Sequence, residues 1–221
     1  MIKTVLIDVD DTILDFKECS IGAIKQSMLD FNFLYKDEYY DVFHRENDKL
    51  WHMIENKTLT IDELHQIRWK IIFASIGLEG DYIAFEEHFV NYLKASSIPV
   101  LGANSLLKYL HKKYQIYVVS NATNRQQHKR LEKANMTPFI DKIFTSIDIG
   151  YSKPSKEFFQ ICLDGLNKDE VIIIGDSLTA DIKGGINAGI KTIWFNKYQE
   201  KIPNIHIDYI VNSLEEIKKI L

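Results

Sequence analysis

The sequence predicts an α/β chain: a parallel sheet covered by helices on both faces, interrupted after its first strand by a helical domain. Three observations predict this. Four short runs, Thr4–Ile7, Ile116–Val119, Val171–Ile174 and Thr192–Phe195, are apolar at consecutive positions, so both of their faces are expected to be buried. Helical patterns alternate with the later runs, which indicates a parallel sheet with helices on two sides. Between about 16 and 95 no strand pattern appears, and aromatic residues are dense. At 221 residues the chain is long enough for one sizeable core and a smaller attached domain.

The elements follow in order. Thr4–Ile7 reads as a buried strand ending at Asp8. The inserted segment carries Phe43, Leu50 and Ile54 in a helical pattern, and Thr60 with Glu63 marks a helix start. The expected division is an α/β core of residues 1–15 and 97–221 and a helical domain of residues 16–96. Leu106, Leu107 and Leu110 share a helical face after Asn104. Thr123 to Gln126 and Ser213 with Glu216 read as capping boxes, and Ser155 caps a helix through Phe158, Phe159 and Cys162. Lys142–Thr145 and Tyr209–Val211 are weaker strand candidates. Gly189 sits where a C-terminal helix glycine belongs.

Composition narrows the partners. The chain is 46% apolar and 26% charged, with a net charge of −4 and a pI of about 6.0, so neither a nucleic-acid polymer nor an anionic membrane is an expected partner. A small anionic substrate remains compatible, because local charge in a cleft can oppose the global sign. Cys19 and Cys162 lie far apart without metal-type spacing, which suits a reduced, cytoplasmic protein. The apolar run from Met1 to Ile7 is too short for a secretory signal, and no stretch approaches a membrane span.

Four features fall at strand ends, where open parallel sheets bind ligands. In Asp8-Val9-Asp10-Asp11-Thr12, an extended backbone points Asp8 and Asp10 the same way. Their repulsion raises one pKa and leaves the other carboxylate ionised, a pairing suited to a nucleophile beside an acid; the alternative is a solvated acidic turn. Ser120-Asn121 offers a hydroxyl, an amide and backbone N–H groups to phosphate oxygens, or else forms a turn. Lys153-Pro154 constrains a lysine that can offset phosphate charge; alone, a surface lysine is the commoner case. Gly175 to Asp181 places Asp176 at a strand end and Asp181 one helical turn on, oxygen ligands suited to Mg²⁺, or simple helix capping.

In this order the four features resemble the haloacid dehalogenase superfamily of aspartate-nucleophile phosphohydrolases, over nearly the whole chain. The resemblance implies a Rossmann-like core with an inserted α-helical cap of the C1 type. It implies Asp8 as nucleophile, Asp10 as general acid and base, and Lys153 as the stabilising cation. Ser120, Asn121, Thr12 and Lys153 are implied to bind phosphate. Asp8, the backbone carbonyl of Asp10, and Asp176 are implied to hold Mg²⁺, with Asp181 closing the site. Asp10 argues against carbon–halogen cleavage, because members with that activity lack a carboxylate two residues after the nucleophile.

A finer resemblance links Gly175 to Ile190, Leu50-Trp51, Leu59-Thr60, Arg68 and Asp148 to Pro154 to the bacterial house-cleaning pyrimidine 5′-nucleotidases. It implies a small phosphorylated partner such as dUMP, dTMP or UMP. One departure is Ala122-Thr123-Asn124, where those relatives carry Gly-Phe-Thr. Phe16, Trp51 and Trp69 are candidates to stack on a base, with the alternative that they fill the helical core. Arg68, Arg45 and Asn47 are candidates for a polar base edge. No role is assigned to His44, His52, His65 or His88. The competing functions are a sugar-phosphate or phosphoglycolate phosphatase, a phosphomutase, and a non-hydrolytic phosphoacceptor module.

Overall fold

The computed structural model describes all 221 residues, Met1–Leu221. The chain divides into two compact units, Met1–Phe16 with Ser97–Leu221, and Lys17–Ser96.

The first unit holds a six-stranded sheet of β1 (Thr4–Ile7), β2 (Gln115–Ser120), β3 (Lys142–Thr145), β4 (Val171–Gly175), β5 (Lys191–Phe195) and β6 (Tyr209–Val211). All neighbours are parallel, in the order β3-β2-β1-β4-β5-β6. Strand order reverses at β1, so the crevice at the carboxyl ends of β1 and β4 is where such a sheet binds ligands. The period of two sends alternate side chains to opposite faces. Val5, Ile7, Ile116, Val118, Ile172, Ile174 and Ile193 join one core with Leu106, Leu107, Leu110 and Leu131. Leu6, Tyr117, Val119 and Ile173 join the other with Phe158, Phe159 and Cys162. Fully apolar strands are thus required on both sides, which is why the continuous runs were readable.

The helices are α1 (Phe16–Asp30), α2 (Glu38–Glu55), α3 (Ile61–Ile76), α4 (Tyr82–Ala95), α5 (Ala103–Leu110), α6 (Asn124–Lys133), α7 (Ser146–Ile149), α8 (Lys156–Cys162), α9 (Gly184–Ala188) and α10 (Leu214–Ile217). A π-helical turn spans Leu178–Lys183 ahead of α9. Ser155 caps α8 by accepting from Phe158 N–H, and Gly189 ends α9 at φ 75°. Two expected capping boxes are only partly formed. Thr123 accepts from Gln126 N–H, but the reciprocal half of the box, Thr123 N–H donating to the Gln126 side-chain oxygen, is not formed. The Ser213 hydroxyl donates to the Glu216 carboxylate at 2.7 Å and accepts no backbone N–H of α10.

The second unit is helical. Thr60 and Glu63 close a complete capping box on α3. Trp69 is buried against Phe43, Phe73, Phe85 and Phe89, and Trp51 packs on the cluster of Leu50, Ile54 and Leu64. Phe16 is half-buried at the start of α1. Arg68 is also buried. It donates to both oxygens of Glu86, at 2.5 and 3.1 Å, and to Asn47 at 3.0 Å. Trp69 thus takes the core-filling alternative, and Arg68 is bonded within this unit. A buried guanidinium and a buried tryptophan are spent on their neighbours.

Candidate active site

The site forms where β1, β2 and β4 end. Asp8 continues β1, donating its N–H to Ile174 at 2.9 Å, and is 7% exposed. Lys153 reaches it from the loop before α8. Its ammonium donates to Asp8 Oδ1 and to Asp181 Oδ1, each at 2.6 Å, and to the Val119 carbonyl at 3.0 Å. A buried ammonium needs such partners, and three acceptors use its three hydrogens.

Asn121 anchors that loop. Its Nδ2 donates to the Lys153 carbonyl at 3.1 Å and its Oδ1 accepts from Lys153 N–H at 2.8 Å. Thr12 is fully buried and donates to Asp176 Oδ1 at 2.9 Å while accepting from Asp176 N–H at 3.1 Å. Both residues were expected to bind phosphate. In the structure their side chains bond to other site residues, Asn121 to Lys153 and Thr12 to Asp176. Asp176 is also fixed by Trp194, whose Nε1 donates to its carbonyl at 2.8 Å.

Asp181 Oδ2 accepts from Ser177 N–H at 3.1 Å. The π-helical turn brings this carboxylate against Gly175, where a Cβ would overlap it, so only glycine fits at that strand end.

Ligand oxygens of Asp8, Asp176 and Asp181 all lie within 4.8 Å of one another. One ammonium faces three carboxylates, and the imbalance appears in their protonation. Asp8 is pushed up to about 7, first by burial, against the opposing pull of Lys153, and further by the charges of Asp181 and Asp10. Asp176 is held well above the usual carboxylate range by burial and by Asp8, Asp181 and Asp11. Burial works against the charge on Lys153, but Asp181 and Asp8 outweigh it and raise its pKa. Three hard oxygen donors around a single ammonium fit a divalent cation such as Mg²⁺. A cation there lowers the pKa of the carboxylates around it.

The carboxylate of Asp10 does not join this cluster. It is held by Arg130 Nη1 at 2.5 Å and Gln127 Nε2 at 2.7 Å, both from α6. Ser120, at the end of β2, is nearly fully buried and accepts from Gln127 Nε2 at 2.9 Å and Ala122 N–H at 3.2 Å. Sequence reasoning missed Gln127 and Arg130. Their only signal is the i, i+3, i+4 spacing with Leu131 on a helix otherwise rich in charge.

Comparison with known proteins shows the family and the fold. A model of the family "Haloacid dehalogenase-like hydrolase" matches residues 5–195. The chain belongs to the haloacid dehalogenase-like hydrolases. Within that family it is similar to the HAD-hydrolase YfnB of Bacillus subtilis, at 34% identity over 99% of this chain and 95% of the relative. It is also similar to the pyrimidine 5′-nucleotidase PynA of Streptococcus pneumoniae, at 32% over 89% and 84%, and to the pyrimidine 5′-nucleotidase YjjG of Escherichia coli, at 27% over 98% and 96%. The crystal structure of YfnB bound to magnesium superimposes with a TM-score of 0.92, covering 99% of this chain and 98% of that one. A dehalogenase structure at 17% identity, TM-score 0.79, shares the fold.

Proposed function

We propose that this haloacid dehalogenase-like hydrolase is a phosphomonoesterase that carries the phosphoryl group on Asp8 and acts on pyrimidine nucleoside 5′-monophosphates. The observation that carries the chemistry is the separation of the two carboxylates: Asp8 lies buried on Lys153, while Asp10 is held apart on Arg130 and Gln127. That arrangement gives one carboxylate to attack and another to manage protons. The substrate assignment rests on the similarity to two pyrimidine 5′-nucleotidases.

Asp8, Asp176, Asp181 and the backbone carbonyl of Asp10 would hold Mg²⁺. When bound, the ion offsets negative charge on the phosphate and on the carboxylates around it. Lys153 contributes a fixed positive charge beside the attacking oxygen. A carboxylate oxygen of Asp8 bonds to phosphorus as the ester P–O bond breaks, and Asp10 protonates the departing oxygen. Asp10 then takes a proton from water as that water's oxygen attacks the aspartyl phosphate. Inorganic phosphate departs and Asp8 is regenerated. Ser120 donates to a phosphate oxygen throughout.

The test is turnover of a panel of nucleoside monophosphates and sugar phosphates with Mg²⁺. Pyrimidine nucleotides are expected to give the highest kcat/KM. A panel in which sugar phosphates outrun them all overturns the substrate assignment and favours the second reading, a small-metabolite phosphatase, which similarity to a glyceraldehyde 3-phosphate phosphatase at 24% identity supports. A single stable phosphoryl group per chain, without turnover, overturns the hydrolytic assignment.

A further inference from the structure

We infer that Gln127 and Arg130 are positioning residues that act through Asp10 and Ser120, fixing where the acid/base carboxylate sits and which way the serine hydroxyl points its proton. The inference rests on the proposed roles of those two residues and goes beyond them.

Both side chains are fully buried on a helix whose other polar residues are exposed or half-buried. A buried guanidinium is retained only where it is paired and hydrogen-bonded. Arg130 Nη1 donates to Asp10 Oδ1 at 2.5 Å and to Gln127 Oε1 at 3.2 Å. The Gln127 amide has no slack. Its two N–H groups go to Asp10 Oδ2 at 2.7 Å and Ser120 Oγ at 2.9 Å, and its carbonyl accepts from Arg130. The reversed amide would set a carbonyl against the carboxylate and N–H against the guanidinium, so the network selects one orientation. Asp10 is clamped on both oxygens yet keeps 30% of its side chain exposed, leaving a face open to a leaving group or a water.

The consequence for Ser120 follows from counting. A hydroxyl accepts twice and donates once. Gln127 Nε2 and Ala122 N–H occupy both acceptor positions. The proton is therefore free to point outward as a donor, the polarity a phosphate oxygen requires.

An acid matters most when the leaving group is poor. In Arg130→Lys, which keeps a charge but loses the planar geometry, kcat/KM is expected to fall about 100-fold for alkyl phosphates, the scale of general-acid catalysis. For 2,4-dinitrophenyl phosphate, whose phenolate leaves without a proton, it is expected to fall less than about fivefold. Gln127→Met, of similar length but without hydrogen bonds, is expected to raise KM for both substrates as Ser120 loses its fixed direction. It serves as the second variant if Arg130→Lys does not fold. Equal losses on both leaving groups in Arg130→Lys, or unchanged KM in Gln127→Met, overturn the inference for that residue. Asp10→Asn is the control. If it shows no leaving-group dependence, the assignment of Asp10 as acid fails and the inference falls with it. If it shows the dependence and Arg130→Lys does not, only the inference fails.

Discussion

Each unit buries an ion cluster, and the two clusters are built to different rules. In the helical unit, Arg68 meets Glu86 through two donors, Asn47 takes a third, and His65 leans on the same Glu86 at 2.6 Å. Charge is balanced there and the donors have acceptors, which is what a buried pair needs to persist in a folded core. In the α/β unit, Lys153 stands alone against Asp8, Asp176 and Asp181. Negative charge is left over, and Asp8 and Asp176 are pushed towards protonation. A balanced pair suits a structural role; an excess of carboxylates at the carboxyl end of the sheet suits cation binding.

The largest effect should come from the unbalanced cluster. Asp8→Asn is expected to lower kcat by about 10⁴-fold or more while leaving the metal-free protein at least as stable, because one desolvated charge disappears. Activity assays with thermal melts of chelator-treated protein check both halves. Residual turnover near the wild-type rate sinks the nucleophile assignment.

The opposite pattern is expected from the balanced cluster. Glu86→Gln leaves Arg68 without its counter-charge and should destabilise the helical unit by about 3–5 kcal/mol, with kcat per folded molecule little changed. Denaturant unfolding followed by tryptophan fluorescence measures this. Equal losses of activity and stability would erase the contrast between the clusters.

Metal and pH provide the third test. The folded pKa of Asp8, about 7, lies above its ordinary 3.8, so the folded state holds the extra proton. The stability this contributes is fully present below 3.8 and is lost as pH rises through about 7. Metal-free protein should therefore become less stable across that window. Mg²⁺ at a hundredfold excess over its pH 8 Kd should stabilise it by about 2.7 kcal/mol at pH 8, and the same Mg²⁺ should stabilise it less at pH 6, where Asp8 holds its proton. Calorimetric titration in buffers of different ionisation heat should also show proton release. The smallest effect is expected from Thr12→Val, which removes the hydrogen bonds orienting Asp176 and should weaken Mg²⁺ about tenfold. An unchanged affinity would remove Thr12 from the site's supporting shell.

Strands β1, β2, β4 and β5 were legible because burial on both faces demands continuous apolar runs. β3 was weaker, because Lys142 is exposed and Ile143 and Phe144 are only half-buried. Asp8, Ser120 and Asp176 were legible as candidates because each stands at the end of an apolar strand, whereas Lys153 lies in the loop before α8 and Asp181 in the π-helical turn. The partners of those residues were not legible. Gln127 and Arg130 look like surface residues in a charged helix until Asp10, more than a hundred positions away, is seen against them. The long-range bonds of Thr12, Asn121 and Arg68 were hidden for the same reason: their partners lie far away in the sequence.

The chain leaves the first unit and returns to it at adjoining points. Asp15 N–H donates to the Ile98 carbonyl at 2.8 Å, Val100 N–H donates to Ile13 at 3.0 Å, and Leu14 pairs with Pro99 antiparallel. Seen from the sheet, about eighty residues occupy the place of a hairpin tip. The ends of so long an excursion are already joined, and lengthening a closed loop adds little further entropy. The register of β1 against β2 and β4 is therefore fixed by contacts within the first unit, on either side of the insert.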